Sequence, residues 1–474
     1  MEVETYARII QRHYRKYDQA LDSGEYIPFV LPYHILSYAL ISCCLVFSSW
    51  RSTTIRWCTL FAVVLHSVLA IRYSRSIGLA HGVVVGIAAS WSVLTAINLL
   101  FIHCPEKTFQ RMVPGKTSPV SKPDAEDVDE VLETRLVWQP MPSQVMQRLF
   151  WVTDLLGSMR LLHWSTQKVP DQKIPITHAN DDYYATLSLS RCLVRFSLIY
   201  LAIDVLKEVV AIDPYFWGYT QTSAPRSIAQ FVSSPLFISL YRLSVASMLI
   251  YLAIALITEA GHIFFIHVLG PRVAGAWGQR WAYRPQHGGL SSIYMAGLRG
   301  FWGTFWHQMF RHMLTSTSNG LMMLLGSEMQ GSTATERRLT MSFLISGTVH
   351  ACGSYTMWGN TQPLHAALFF LLQPIGIRVQ SFFVRILDHT FENNTGYHAR
   401  GIANVVSTGV FLFLTFPFLA DDFAKGGLYL SEPFPISIIQ LLKLGSSQRA
   451  HPLWMDSGIG WYTGRRWWQS GIAL

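Results

Sequence analysis

Charge is what this chain has least of. Only 14% of its 474 residues are Asp, Glu, Lys or Arg, whereas 50% are hydrophobic. Soluble domains carry about 25% charged residues, so an ordinary soluble fold is excluded. Cysteine is scarce and unpatterned. Cys43, Cys44, Cys58, Cys192 and Cys352 lie in apolar runs and Cys104 just past one, with no C-x-x-C pair and no zinc spacing. They read as small hydrophobes, and no metal site is expected. A G-x-S-x-G elbow is missing, which argues against a serine acyl-enzyme. Gly115-Lys116-Thr117 is not a P-loop, because position 110 is Gln where the first glycine belongs. Fixed-period repeats and inverted pairs of broken helices are also missing, which counts against a secondary transporter.

Long apolar runs are abundant. They cover Pro28 to Ser49, Trp57 to Tyr73, Gly78 to Ile102, Ser190 to Ile212, Leu236 to Gly270, Leu339 to Met357, Pro363 to Phe383 and Ile402 to Ala420. Each approaches the ~20 residues that cross ~30 Å of hydrocarbon. A further run around Ser291 to Leu325 lies in or dips into the membrane. The runs are about twice as long as a barrel strand needs. The expected fold is therefore all-α, a polytopic integral membrane protein with about seven to ten transmembrane helices. Residues 1–27 are polar and carry no cleavable signal pattern. Residues 28–102 hold the first transmembrane helices, 103–189 a cytosolic connector with an amphipathic surface helix, 190–425 the core and 426–474 an interfacial tail.

The net charge of +9 is scattered over loops rather than drawn into one stripe. That suits an anionic membrane surface or an anionic cosubstrate better than nucleic acid. Sixteen Trp and twenty Tyr, including those of the Trp461–Trp468 tail, suit interfacial belts. Within the connector, Phe150, Trp151, Leu155, Leu156, Met159 and Leu162 recur at helical spacing between Gln144 and Trp164. This predicts an amphipathic helix that lies on the membrane or roofs a site; packing against the rest of the protein explains it equally well. The run from Ser190 carries Arg195, Asp204, Lys207 and Glu208. A structural ion network accounts for these more simply than a proton relay does. Glu259 and His262 read the same way. Asn393-Asn394-Thr395 is a glycosylation sequon, of use only on a lumenal loop.

Two segments carry chemistry. His350 stands in an apolar run with Ser346, Gly347, Gly353 and Ser354 at i−4, i−3, i+3 and i+4. An ionisable group at bilayer depth marks a functional site by default, and the small neighbours leave room for a substrate. Close helix packing explains the small residues just as well. The second segment runs from Arg299 to Arg311. On a helix, Gly303, His307 and Arg311 would share one face, Phe301 and Phe305 another, and Trp302 and Trp306 a third. That would make a polar edge among aromatic anchors; an interfacial helix with Arg311 snorkelling to headgroups is the plainer alternative.

Taken together, Phe301-Trp302-Gly-Thr-Phe-Trp306-His307-Gln308 through Arg311 and Ser346-Gly-Thr-Val-His350 resemble the wax-synthase branch of the membrane-bound O-acyltransferases. The likeness is strongest to fungal members that acetylate hydroxyls of secondary metabolites, often terpenoids. The resemblance implies that His350 is the catalytic histidine and His307 a second polar position, held in a tryptophan framework. It implies acetyl-CoA or another acyl-CoA as cosubstrate, an apolar alcohol as acceptor, no bound cofactor, and an endoplasmic reticulum membrane. Trp302, Trp306, Gln308, Ser346 and Ser354 would line the substrate site, and Arg299 and Arg311 would meet the CoA phosphates. His350 would act as the base, and His307 or Gln308 would stabilise the oxyanion. Two departures stand out. Arg160-Leu-Leu-His-Trp164 keeps only the ends of the family's R-G-x-G-W-like turn, and Gly303-Thr304-Phe305 lacks the basic residues common between the two tryptophans. A long-chain wax-ester synthase is the alternative within the class. A proton-coupled transporter using His350, Asp204 and Glu208, or a scaffold tolerant of change at both histidines, are alternatives outside it.

Overall fold

A computed structural model describes residues 5–47, 52–115, 136–167, 181–230, 234–327, 329–390, 394–431, 436–445, 460–464 and 466–473. The acidic stretch of the connector and Asn393 of the sequon lie outside these residues. The described chain is helical, as its apolar runs require when no water is at hand to satisfy the backbone. Sheet is confined to short pieces, the largest being three antiparallel strands in the connector: Gln110–Pro114 between Leu136–Pro140 and Trp164–Ser165.

Among the described residues, five stretches are long and apolar enough to cross a membrane: Thr53–Tyr73, His81–Ile102, Pro235–Gly278, Pro363–Ile386 and Tyr397–Lys425. Two other long helices, Leu189–Ile212 and Gly331–Thr356, are more polar and pack among them. The apolar run from Pro28 does not form one span. It breaks into Leu31–His34, with Pro32 in its first turn, and the 11-residue helix Leu36–Val46. The run from Ser291 is also broken, into Ser291–Gly300, a π-helical turn at Phe301–Phe305, and Arg311–Leu324.

The Gly331–Thr356 helix, which carries His350, is held on two sides. Pro363–Thr390 packs along one flank and His81–Ile97 along the other. The second contact is close because Gly86 has no side chain: a Cβ there would sit 2.0 Å from the Cys352 carbonyl oxygen. Thr356 pins the same crossing, its Oγ1 donating to Gly82 O at 2.7 Å and accepting from Gly86 N at 3.0 Å. Arg311–Leu324 runs back along the histidine helix as a hairpin, joined by Ser318 to Ser342 at 2.9 Å and by Arg338 to Asn319.

The ionic groups of Leu189–Ile212 form a structural network. Lys207 donates to Tyr6 Oη and to the carbonyls of Tyr429 and Ser431, at 3.0, 2.6 and 3.0 Å. Asp204 accepts from Ser437 Oγ and Ile439 N, and Glu208 from Gln440 Nε2. The chain past residue 426 is thereby tied across this helix to the N-terminal helix Tyr6–Asp22. Arg195 grips Glu259 through two bonds, at 2.9 and 3.0 Å, and also reaches Cys192 Sγ at 3.4 Å. The guanidinium thus takes the pole of the Cys192, Glu259 and His262 cluster, where a cation would otherwise be needed.

Candidate active site

The histidine helix delivers His350 with its tautomer already chosen. Nδ1 lies 2.8 Å from the Ser346 carbonyl oxygen, one turn back. A carbonyl only accepts, so Nδ1 must carry the proton and Nε2 keeps the lone pair. Phe370, from the neighbouring helix, stacks on the ring at 4.1 Å between centroids and 30° between planes. Val349 and Ser354 are buried, and protein surrounds the imidazole, yet the ring keeps accessible area of its own.

The small residues beside His350 divide into two roles. Gly347 and Gly353 serve packing: a Cβ on Gly347 would press on the Ala367 carbonyl at 3.0 Å, and one on Gly353 would meet Val83 at 2.9 Å. Ser346 contributes its carbonyl to the imidazole. Ser354 is fully buried, its hydroxyl beside the Asp422 carboxyl.

The Phe301–Arg311 segment is helical only at its start. The chain turns sharply at Gly297, whose φ of 57° and ψ of −135° suit glycine. Gln380 fixes the bend by accepting from Leu298 N at 2.7 Å while its amide donates to Ser407, Thr408 and the Asn404 carbonyl. One π turn follows, then Trp306 is extended, with φ −67° and ψ 152°. The helical face expected to join Gly303, His307 and Arg311 therefore does not form. Arg311 begins a new helix and returns to the segment through its guanidinium, bonding Gly303 O at 2.7 Å and Gln308 Oε1 at 3.2 Å. The aromatic lines do persist over the single turn: Phe301 meets Phe305 at 5.6 Å and Trp302 meets Trp306 at 6.3 Å.

Each side chain of the segment has a distinct setting. Trp302 is a wedge between helices; its indole donates to Gln373 Oε1 at 2.9 Å and its ring touches Phe343, Phe369 and Phe370. Phe370 thus touches both Trp302 and His350. Trp306 stacks on Phe301 and borders His307. Gln308 staples its own loop, its amide donating to the carbonyls of Trp306 and Trp302. Both amide hydrogens are engaged, so His307 is the better-placed donor to a substrate. His307 lies against Trp306 and Phe310, with Nδ1 buried and unpaired. His350 is within electrostatic reach of it. Arg299 lies apart from both. It bonds Glu336, as does Arg378, at the start of the histidine helix. Fourteen residues at ~1.5 Å each put this cluster ~21 Å along the axis from His350.

Sequence reasoning missed His287 and did not connect Arg160 with the site. His287 lies over Tyr251 at 4.4 Å and against Trp306 at 6.1 Å, and its charge, like that of Arg160, is felt at His307. Arg160 follows the connector helix Val145–Gly157 and reaches the same loop, donating to Arg284 O at 3.1 Å and Gln286 Oε1 at 3.2 Å. No local pattern marks either residue; both arrive through contacts distant in sequence. A separate cavity behind Phe310 is bordered by Trp91, Asn98, His103, Leu161 and His312. Phe310, packed on Trp91 at 4.9 Å, divides it from His307.

These features define a polytopic helical membrane protein in which two histidines from separate segments lie within electrostatic reach of each other, each against aromatic rings. Residues 283–372, which contain both histidines, match the membrane bound O-acyl transferase family. That segment holds both stretches on which the resemblance rests, Phe301 to Arg311 and Ser346 to His350. It is similar to the O-mevalon transferase macI of Penicillium terrestre, 26% identical over 303 residues that cover 60% of each chain. The acetyltransferase eriL of Hericium erinaceus is 24% identical over 326 residues, 66% of this chain and 76% of the relative. The acetyltransferase spyB of Aspergillus fumigatus is 36% identical over a shorter stretch of 97 residues, 19% of this chain and 16% of the relative. The chain thus spans about 60% of the length of the first curated relatives it matches. No solved structure matches it.

Proposed function

We propose that this protein is a membrane-embedded O-acyltransferase that moves an acetyl group from acetyl-CoA to a hydroxyl of an apolar secondary metabolite, such as a terpenoid or meroterpenoid, in the endoplasmic reticulum. The observation that carries the proposal is the tautomer of His350. With Nδ1–H bonded to the Ser346 carbonyl, Nε2 is an unprotonated nitrogen within electrostatic reach of a second histidine. Such a nitrogen takes the proton of the acceptor hydroxyl as its oxygen attacks the thioester carbonyl. His307 supports the oxyanion that forms if an N–H of its ring points at it, and the thiolate of CoA leaves as the tetrahedral centre collapses. The proton held on His350 Nε2 then passes to the departing sulfur. The aromatic walls exclude water, which disfavours hydrolysis of the thioester. Names of the relatives favour acetyl transfer within the class.

The test is purified His350→Ala protein assayed for CoA release and ester formation. Positioned acid–base catalysis is worth ~10²–10⁴-fold, so a loss of at least ~10² is expected. Activity within about threefold of wild type would remove His350 from the mechanism. Offering acetyl-CoA against palmitoyl-CoA separates acetyl transfer from wax-ester synthesis.

A further inference from the structure

From His307 a row of contacts runs through Trp306 to His287, and Arg160 bonds Gln286 beside it, so a guanidinium stands at the end of the row away from His350. Both ring nitrogens of His287 are buried without a bonding partner, the Phe305 carbonyl lying near but out of bonding geometry. Unpaired buried donors and acceptors are rare in folded proteins and call for an explanation. The cations beside them are also uncompensated. Arg160 and Arg284 are close enough to repel. Their bonds go to neutral acceptors: the Arg284 carbonyl and Gln286 Oε1 for Arg160, and the Trp281 and Tyr283 carbonyls and Tyr184 Oη for Arg284. Neither touches a carboxylate among the described residues. The nearest buried acid of the connector, Asp154, is taken by Arg111 and His163. Two adjacent guanidiniums with no acid are a site short of an anion.

We infer that Arg160 and Arg284 form an anion subsite for the phosphates of the CoA thioester, with His287 meeting the polar arm that joins those phosphates to the reacting carbonyl. The inference rests on the acyl-transfer reading and gives it a direction: thioester at His350 and His307, arm at His287, phosphates at Arg160. The order of the row follows the chemistry of the molecule, from an uncharged acyl end through amides to pyrophosphate. It also moves the phosphate contact away from Arg299, which Glu336 already neutralises. A phospholipid headgroup offers the same anionic chemistry, so the experiment must tell the two apart.

Full-length protein in nanodiscs of neutral lipid is titrated with CoA by calorimetry, with Arg160→Gln, the charge-keeping Arg160→Lys and His287→Phe alongside wild type. Thermal melting checks that each variant is folded. Loss of a charged hydrogen bond should weaken CoA binding about tenfold or more in Arg160→Gln. Arg160→Lys should recover most of it, and inorganic pyrophosphate should compete in every one of these proteins except Arg160→Gln. His287→Phe keeps the ring contacts with Tyr251 and Trp306 and should weaken CoA severalfold without altering pyrophosphate competition. CoA affinity in folded Arg160→Gln within twofold of wild type overturns the subsite and leaves the His350 reading standing. Wild type that ignores CoA but binds phosphatidylglycerol vesicles through Arg160 reassigns the anion site to lipid and overturns the thioester assignment. Wild type that binds neither overturns the subsite and the acyl-transfer reading together.

Discussion

At His350 one ring nitrogen is committed to its own helix and the other is left for chemistry, an asymmetry set by a single carbonyl one turn away. His307 has the complementary property, a buried nitrogen with no protein partner. If it supports the oxyanion, its removal should be felt in the transition state more than in binding. His307→Ala is expected to lower kcat by ~10²–10³ with KM for acetyl-CoA changed little. His307→Asn, which keeps a donor in the same place, should recover at least part of this. Alanine and asparagine variants of equal activity would assign His307 to packing alone.

At the scale of elements, the site depends on a close approach that places the histidine helix. The crossing of His81–Ile97 over the histidine helix is set by Gly86 against Cys352. A leucine at position 86 cannot fit without pushing the His350 helix away, so Gly86→Leu should lower the melting temperature and abolish transfer. Gly409 makes a control: nothing lies within 4 Å of the Cβ it would gain, and Gly409→Ala should melt at or slightly above wild type. Equal melting for the two variants would show that the crossing does not hold the fold. The same elements explain what could be read from sequence and what could not. Apolar length and low charge disclosed a helical membrane protein, and an isolated histidine with F-W-x-x-x-W-H disclosed the two segments that the family match covers. Periodicity misled beyond Phe305, because the bend at Gly297 is imposed by Gln380, 82 residues later. The glycines flanking His350 read equally as room for substrate or as close helix packing, and packing uses them. His287 was invisible because its neighbours, Tyr251 and Trp306, come from other parts of the chain.

At the scale of the whole molecule, the connector packs its helix against Leu36–Val46 and reaches Trp277 through Asp154. Its helix Val145–Gly157 buries Trp151, Val152 and Leu155 while Val145, Met146, Leu149 and Phe150 face outward. The polar side chain Asp154 is turned inward, opposite to a simple surface helix. There it accepts from Arg111 at 3.1 Å, His163 at 3.1 Å and Trp277 at 2.8 Å, binding connector to body. Burial alone would raise this carboxyl, but His163 and Arg111 outweigh burial and hold it below the usual carboxylate range. A carboxyl lowered on folding stabilises the fold fully above its unfolded value, near ~3.9, and loses that contribution as pH falls through its folded value. Asp154→Asn should therefore melt below wild type at pH 7, and the gap should narrow only as pH drops under about 4. Because Arg160 lies just beyond this anchor, the same variant should also weaken CoA binding at neutral pH. A melting gap that stays constant from pH 7 to pH 3 would mean that the Asp154 charge does not hold the connector, and that its ion pairs follow from docking rather than cause it.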